Sequence, residues 1–413
     1  MIEAGGELSH LVFLTGGAIV MTMLIKGVME RTVVPPLVGF LVLGVCLRWG
    51  QTQWPLAFEG GGEVIAFLSK LGLVTLLFRV GMKSDITVLA GQLKNASIAW
   101  IMNIGLTGLA GFYTASLLLG QALVPSLIVA VAFTATSVGV SVKVWEDQNA
   151  LQSKNGGLLV DLAELDDVTA VLLMGLLFAV VPYLPSGSAS GSFWPVLGQH
   201  ALGFVAKLLL FAGGCLVFAV FLERPMTRFL KRVEHTPDST LTIVGLGFVI
   251  AALAGGLGFS LAIGAFFAGL TFSRDPECVT LDTSFTPIFD FFSPFFFVGI
   301  GFEFELATLG PSLGMGGLLL VLAVLVKVIA NGVPVALLLD GPSGWLIGAS
   351  MIPRAEIALV IMQKGLHLDT SPVSEQLFGA MVVVSALSCV LAPIVVRGLL
   401  QRWPQAINRR SGE

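Results

Sequence analysis

The sequence predicts an all-α protein whose helices cross a membrane, and three observations carry that prediction. Hydrophobic residues fill 55% of the 413 positions and charged residues only 12%, where soluble domains carry about 25% charged residues. The apolar residues fall in runs of about 20, the length a helix needs to cross the hydrocarbon core. Glycine occurs 49 times, as close helix packing in lipid favours.

Charges and Pro/Gly interruptions divide the runs into about thirteen spans. The first, His10–Met29, has no basic leader and no small-residue cleavage site, so it reads as a retained span. Val33–Trp49, Gly62–Met82 and Asn95–Leu119 follow. Leu123–Glu146 and Gly156–Val181 carry unusual polar residues near their midpoints. A charge-free loop, Pro182–Phe193, leads into Trp194–Leu222. Asp238–Gly256 and Phe259–Ser273 are separated only by Gly255-Gly256-Leu257-Gly258. Ser284–Phe304, Gly314–Leu339, Gly341–Leu366 and Val373–Leu399 complete the set, and the tail Gln401–Glu413 is polar and basic.

Lys and Arg fix the expected orientation. One set of ends holds Lys26, Arg31, Lys83, Lys94, Lys143, Lys154, Arg224, Arg228, Lys231, Arg232, Arg274, Arg397, Arg402, Arg409 and Arg410. The opposite ends hold little more than Arg48 and Lys364. The amino terminus is therefore expected outside and the carboxyl terminus inside, which requires an odd number of spans. Splitting about thirteen as six, one and six gives two units that begin on opposite faces, the parity of an inverted repeat. Gly81-Met82-Lys83-Ser84-Asp85-Ile86 and Gly301-Phe302-Glu303-Phe304-Glu305-Leu306 share a Gly, three residues, an acid and an aliphatic.

Composition excludes other classes. A net charge of −4 gives no basic surface for nucleic acid. Cys46, Cys215, Cys278 and Cys389 lack paired spacing and read as packing residues. With only four histidines there is no metal-type cluster and no nucleophile with a His base, so neither an enzyme nor a cofactor is expected.

The polar residues inside the spans are the candidates for function. Asp161, Glu164, Asp166 and Asp167 lie within roughly two turns of one helix. Carboxylates there cost roughly 2.5–3.5 kcal/mol each by insertion scales, so they pair with something or move something. Glu164 lies one turn from Asp167 on nearly the same face, while Asp166 points about 100° away. Asp161 and Glu164 also read as the wall of a wetted vestibule. Thr134-Ala135-Thr136-Ser137-Val138-Gly139 either packs helices through small hydroxyls or lets the helix unwind, the hydroxyls satisfying the freed backbone. Lys327, deep in Val321–Ile329, needs a carboxylate, and Asp166 matches its depth. That pair is a fixed structural one or one that forms and breaks. Pro353, between Ile352 and Arg354, favours a helix break, with Arg354 and Glu356 as a stabilising ion pair there. Lys70, Arg79, Lys207 and Asp290 are further buried charges, and Pro294 with Phe295-Phe296-Phe297 reads as packing.

These residues resemble the bacterial cation/proton antiporters, in the paired-aspartate branch of the antiporter-2 superfamily. The resemblance runs in order over nearly the whole chain: Ala132-Phe133-Thr134-Ala135-Thr136-Ser137-Val138-Gly139, Leu165-Asp166-Asp167-Val168, Leu261–Leu270, Phe292–Gly301, Lys327 and Pro353-Arg354-Ala355-Glu356. It implies inverted six-helix repeats with crossed broken helices in a moving core, residues 84–181 and 307–400. It implies a dimerising scaffold, residues 1–83 and 238–306, a linking span at 182–237 and a cytoplasmic tail at 401–413. Asp167 would take a cation or a proton; Asp166 would pair with Lys327 and let go when the cation binds; Thr136, Ser137 and Glu164 would lie near the ion. The implied activity is electrogenic Na+/H+ exchange by a homodimer in a bacterial inner membrane. K+/H+ exchange, a cation channel and a non-transporting membrane sensor remain as alternatives. Asp161 and Glu164 depart from the family pattern, in which small or apolar residues are expected.

Overall fold

The computed structural model describes residues 2–55, 60–84, 86–184, 193–222, 225–226, 238–273, 278–368 and 372–405. Side chains at 2–8, 86–96, 193–197, 199–201, 238–240 and 278–283 are outside that description. Asp85, Arg224, Arg228, Lys231, Arg232, Arg274, Arg409, Arg410 and the side chains of Lys94 and Cys278 therefore lie outside the described residues, as do parts of the loop and tail discussed above.

Every expected span coincides with one helix or with a broken pair. In chain order these are α1 (Ile2–Met29), α2 (Pro36–Gln53), α3 (Gly61–Lys83) and α4 (Ile86–Tyr113), the last running into a wide π turn at Thr114–Leu118. Then come α5 (Leu123–Thr134), α6 (Val138–Asp147), α7 (Lys154–Val180) and α8 (Phe193–Val217). They are followed by α9 (Asp238–Gly256), α10 (Leu261–Phe272), α11 (Cys278–Phe302), α12 (Leu309–Leu338), α13 (Gly341–Ser350), α14 (Glu356–Leu366) and α15 (Glu375–Arg402). Among the described residues, nine stretches are long and apolar enough to cross a membrane. Gly258 makes the turn between α9 and α10 at φ +87°, a conformation that glycine adopts without strain. Ser260 then caps α10, its hydroxyl accepting from the Ile263 N–H.

The chain forms two compact units. The first holds Met1–Glu59, Leu89–Ala170 and Ile300–Glu413. Backbones approach closely within it because glycines face one another: a Cβ on Gly344 would stand 2.5 Å from the Gly332 carbonyl, and one on Gly348 2.9 Å from that of Val328. These contacts seat α13 against α12. Its core includes Trp145, Leu159, Leu162, Leu346, Ile347 and Met351. Arg48 reaches Glu305 at 3.4 Å and stacks over Phe302.

The second unit holds Gly60–Val88 and Val171–Gly299. There α3 meets α10 through Gly81 and Gly269, whose Cβ positions are taken by the Phe266 and Phe78 backbones. Phe78, Phe272 and Phe285 form an aromatic core, with Phe78 and Phe285 5.5 Å apart. Phe295, Phe296 and Phe297 are buried, as packing residues are. Arg79 stacks over Phe289 at 4.2 Å, whereas Lys70 and Lys207, expected as buried charges, are exposed.

Candidate functional site

Two interrupted helices meet in the first unit. The first interruption is Ala135–Ser137, between α5 and α6; Ala135 is extended, at φ −62° and ψ 144°. Thr134 keeps its hydroxyl on the Val131 carbonyl at 2.8 Å, satisfying one group that the break frees. The second interruption is Met351–Ala355, between α13 and α14, where Pro353 has no N–H to continue a helix. The interruptions touch: Ser137 N–H donates to the Pro353 carbonyl at 2.8 Å. Two further bonds clasp them. Ser141 donates its hydroxyl to the Ser350 carbonyl at 2.7 Å, and the buried Trp145 donates its Nε1–H to the Ser350 hydroxyl at 2.9 Å.

Arg354 and Glu356 were expected as an ion pair, and the geometry corrects that expectation. Arg354 is fully buried, and its Nη1 donates to the Phe133 carbonyl and, at 3.4 and 3.3 Å, to those of Ala132 and Ala135. The guanidinium also stacks on Phe133. It therefore caps the carbonyl end of α5, where the dipole is negative and carbonyls are orphaned. Arg354 Nε and Nη2 have no hydrogen-bond partner. Glu356 instead shares a hydrogen bond with the Ser137 side chain. Each residue thus serves the interrupted helix opposite its own rather than its neighbour in sequence.

Lys327, from the middle of α12, ends in a cage of acceptors. Its Nζ donates to Thr136 Oγ1 at 2.6 Å, to the Thr134 carbonyl at 2.8 Å and to Asn103 Oδ1 at 2.9 Å, and stands 3.5 Å from Asp166 Oδ2 as an ion pair. Lys327 and Asp166 are 0% and 1% exposed, so bulk water does not compete. Asn103 donates to Asp166 Oδ1 at 2.7 Å. Asn331, one turn after Lys327, donates to Asn103 Oδ1 at 3.1 Å and to the Lys327 carbonyl at 3.0 Å. The structure thus brings Asp166, Lys327 and Thr136 together, from α7, α12 and the first interruption.

Asp167 takes none of the cage's hydrogen bonds. It is half-buried and within electrostatic range of Asp166, Glu356, Glu164 and Lys327. Glu164 and Asp161 are half-buried on the same helix, toward its amino end. Lys327 is taken by Asp166 and Arg354 by the α5 carbonyls, so among the described residues Asp167 is the surplus acid, with no cation of its own in contact. A partly accessible carboxylate without its own counter-charge suits a monovalent cation or a proton.

Asn103 and Asn331 were missed in the sequence. Asn103 lies in the apolar run Ile98–Leu109, and Asn331 lies four residues after Lys327. A polar side chain at mid-span depth, and the i, i+4 spacing that sets it beside a buried lysine, were the available signals.

Residues 17–402 match the family model described as "Sodium/hydrogen exchanger, transmembrane". The chain is 25% identical to the high-affinity Na+/H+ antiporter NhaS3 of Synechocystis over 83% of its own length and 73% of that protein's. It is 25% identical to the Na+/H+-K+ antiporter GerN of Bacillus cereus over 88% and 89% of the two chains. Its fold matches the sodium/proton antiporter MjNhaP1 of Methanocaldococcus jannaschii with a TM-score of 0.67, at 16% identity, over 96% and 99% of the chains.

Proposed function

The chain belongs to the sodium/hydrogen exchanger family, and from that premise we propose that it exchanges Na+ for protons at Asp167. It is a multi-pass membrane protein of a transporter family. The observation that carries the reading is the surplus, half-buried Asp167 beside the caged Asp166–Lys327 pair. Carrying a lone charge into an apolar barrier costs several kcal/mol. The site therefore crosses when a cation or a proton neutralises Asp167, and it stalls when empty. That asymmetry couples the two fluxes.

Asp166 serves as the second cation ligand, leaving Lys327 as the cation enters. Thr136 and Ser137 lie at the interruption beside the ion, and Glu164 lines the approach to Asp167. Two protons per cation would make exchange electrogenic. The moving core is residues 84–181 and 307–400, carried against a scaffold, residues 1–83 and 238–306, through the link at 182–237. The halves are read as inverted repeats, and the protein as a homodimer in a bacterial inner membrane, amino terminus outside and carboxyl terminus inside.

The test is a pH-jump dye assay in sealed vesicles, with Na+, Li+ and K+ added in turn. Na+-driven proton movement that Asp167→Asn abolishes is the expected result. Wild-type rates in Asp167→Asn vesicles sink the reading. Because the similar GerN is named for K+ as well as Na+, a response to K+ alone would move the protein to K+/H+ exchange.

A further inference from the structure

Asn103 touches both members of the buried pair at once. Its Oδ1 accepts from Lys327 Nζ at 2.9 Å, and its Nδ2 donates to Asp166 Oδ1 at 2.7 Å. Lys327 reaches the other carboxylate oxygen, Oδ2, at 3.5 Å. The two oxygens of Asp166 thus have different partners. The amide has one workable orientation, because Asn331 Nδ2 also donates to Asn103 Oδ1 at 3.1 Å. Turned over, Asn103 would set an NH2 group against an ammonium and a second NH2. All four side chains are at most 1% exposed, so these bonds form without competition from bulk water.

We infer that Asn103 is a positioning residue that sets the site's affinity for its cation, by anchoring Asp166 through one oxygen while the other exchanges Lys327 for the ion. The inference rests on the cation-exchange reading above. The anchor keeps the carboxylate from turning when Oδ2 changes partner. The same amide holds the ammonium back, so that the pair stands at 3.5 Å rather than at the 2.7–2.9 Å of a close charged contact. Lys327 is not stranded when Oδ2 leaves it, because Asn103 Oδ1, the Thr134 carbonyl and Thr136 Oγ1 remain. An apolar residue at 103 removes a partner from each ion. The two then close on each other, and the Coulomb attraction that an entering cation must overcome rises as the distance falls.

The experiment measures Na+ binding to the purified full chain by isothermal titration of NaCl against a choline chloride background, with LiCl as a second probe. Exchange in vesicles follows. Asn103→Leu is expected to weaken Na+ binding and raise the KM for Na+ about tenfold, with turnover at saturating Na+ changed by less than about threefold. Asn331→Leu removes the bond that fixes the amide, together with a buried Oδ1 that has no hydrogen-bond partner. It is expected to fold and to shift both constants about threefold in the same direction. Unchanged affinity in both variants overturns the inference, as does a loss of turnover alone or a wild type that binds neither ion. A wild type that binds Na+ but does not exchange it removes the exchange reading, while the affinity shifts still decide the role of Asn103.

Discussion

Ser137 donates its backbone N–H to the carbonyl of Pro353, 216 residues later in the chain, at 2.8 Å. A helix that stops inside a membrane leaves backbone groups that lipid cannot satisfy. Here each interruption satisfies the other, and the side chains of Ser141, Trp145 and Arg354 complete the exchange.

Trp145→Phe should keep the ring in its buried place while leaving the Ser350 hydroxyl without its donor. A loss of about 1–2 kcal/mol is expected, read as a lower Tm in detergent. An unchanged Tm would mean that the clasp contributes nothing.

Arg354→Leu removes the cationic cap from the end of α5 and strands the carbonyls of Ala132, Phe133 and Ala135. A buried carbonyl left without a donor costs about 1–3 kcal/mol, and three are affected. Little folded protein should survive purification. Arg354→Lys keeps the charge but loses the fork, and should recover part of that loss.

Lys327→Ala leaves Asp166 buried with Asn103 as its remaining hydrogen-bond donor, so it should destabilise the fold by several kcal/mol. Adding Asp166→Asn should restore part of that stability, and a double-mutant cycle on Tm measures the coupling. Strictly additive losses would show that the pair is not energetically linked. In vesicles, unchanged electrogenicity in Lys327→Ala would assign any second proton to another group.

Asp340, in the turn between α12 and α13, caps α13 by accepting from the Ser343 N–H at 2.8 Å. That bond holds its carboxyl below the ordinary carboxylate value. A carboxyl lowered in the folded state stabilises above its unfolded pKa of about 3.9 and loses that contribution as pH falls through the folded value. Asp340→Ala should therefore lower Tm at neutral pH, and the difference from wild type should shrink as the solution is acidified past pH ~4.

Gly269→Ala places a methyl group against the Phe78 backbone in the α3–α10 seam. Backbone cannot swing aside as a side chain can, so a cost of about 1–3 kcal/mol is expected. A thermal melt checks it, with Gly256→Ala, which meets nothing within 4 Å, as the control.

The span pattern was legible because hydropathy acts through composition alone, and each apolar run became a helix or a broken pair of helices. Pro353 made the second interruption legible, whereas the hydroxyls at Thr134–Ser137 left helix packing and unwinding both open, and the structure shows the unwinding. The split between α9 and α10 rested on Gly255-Gly256-Leu257-Gly258, and the structure puts the turn at Gly258, with its positive φ. Two things stayed hidden. Charge pairing in a sequence compares side chains with side chains, so it joined Arg354 to Glu356 and could not foresee that broken α5 would offer carbonyls instead. Depth and charge led to Lys327 and Asp166, but a neutral amide such as Asn103 carries no such flag and emerges only when α4, α7 and α12 are set side by side.

The ammonium of Lys327 ties α4, α7 and α12 to the end of α5 through three short hydrogen bonds and the longer ionic contact to Asp166. Releasing Asp166 still leaves the three short bonds. Those segments should travel as a raft during exchange, so spectroscopic probes fixed to α4 and α12 should keep a constant spacing while the gradient is being spent.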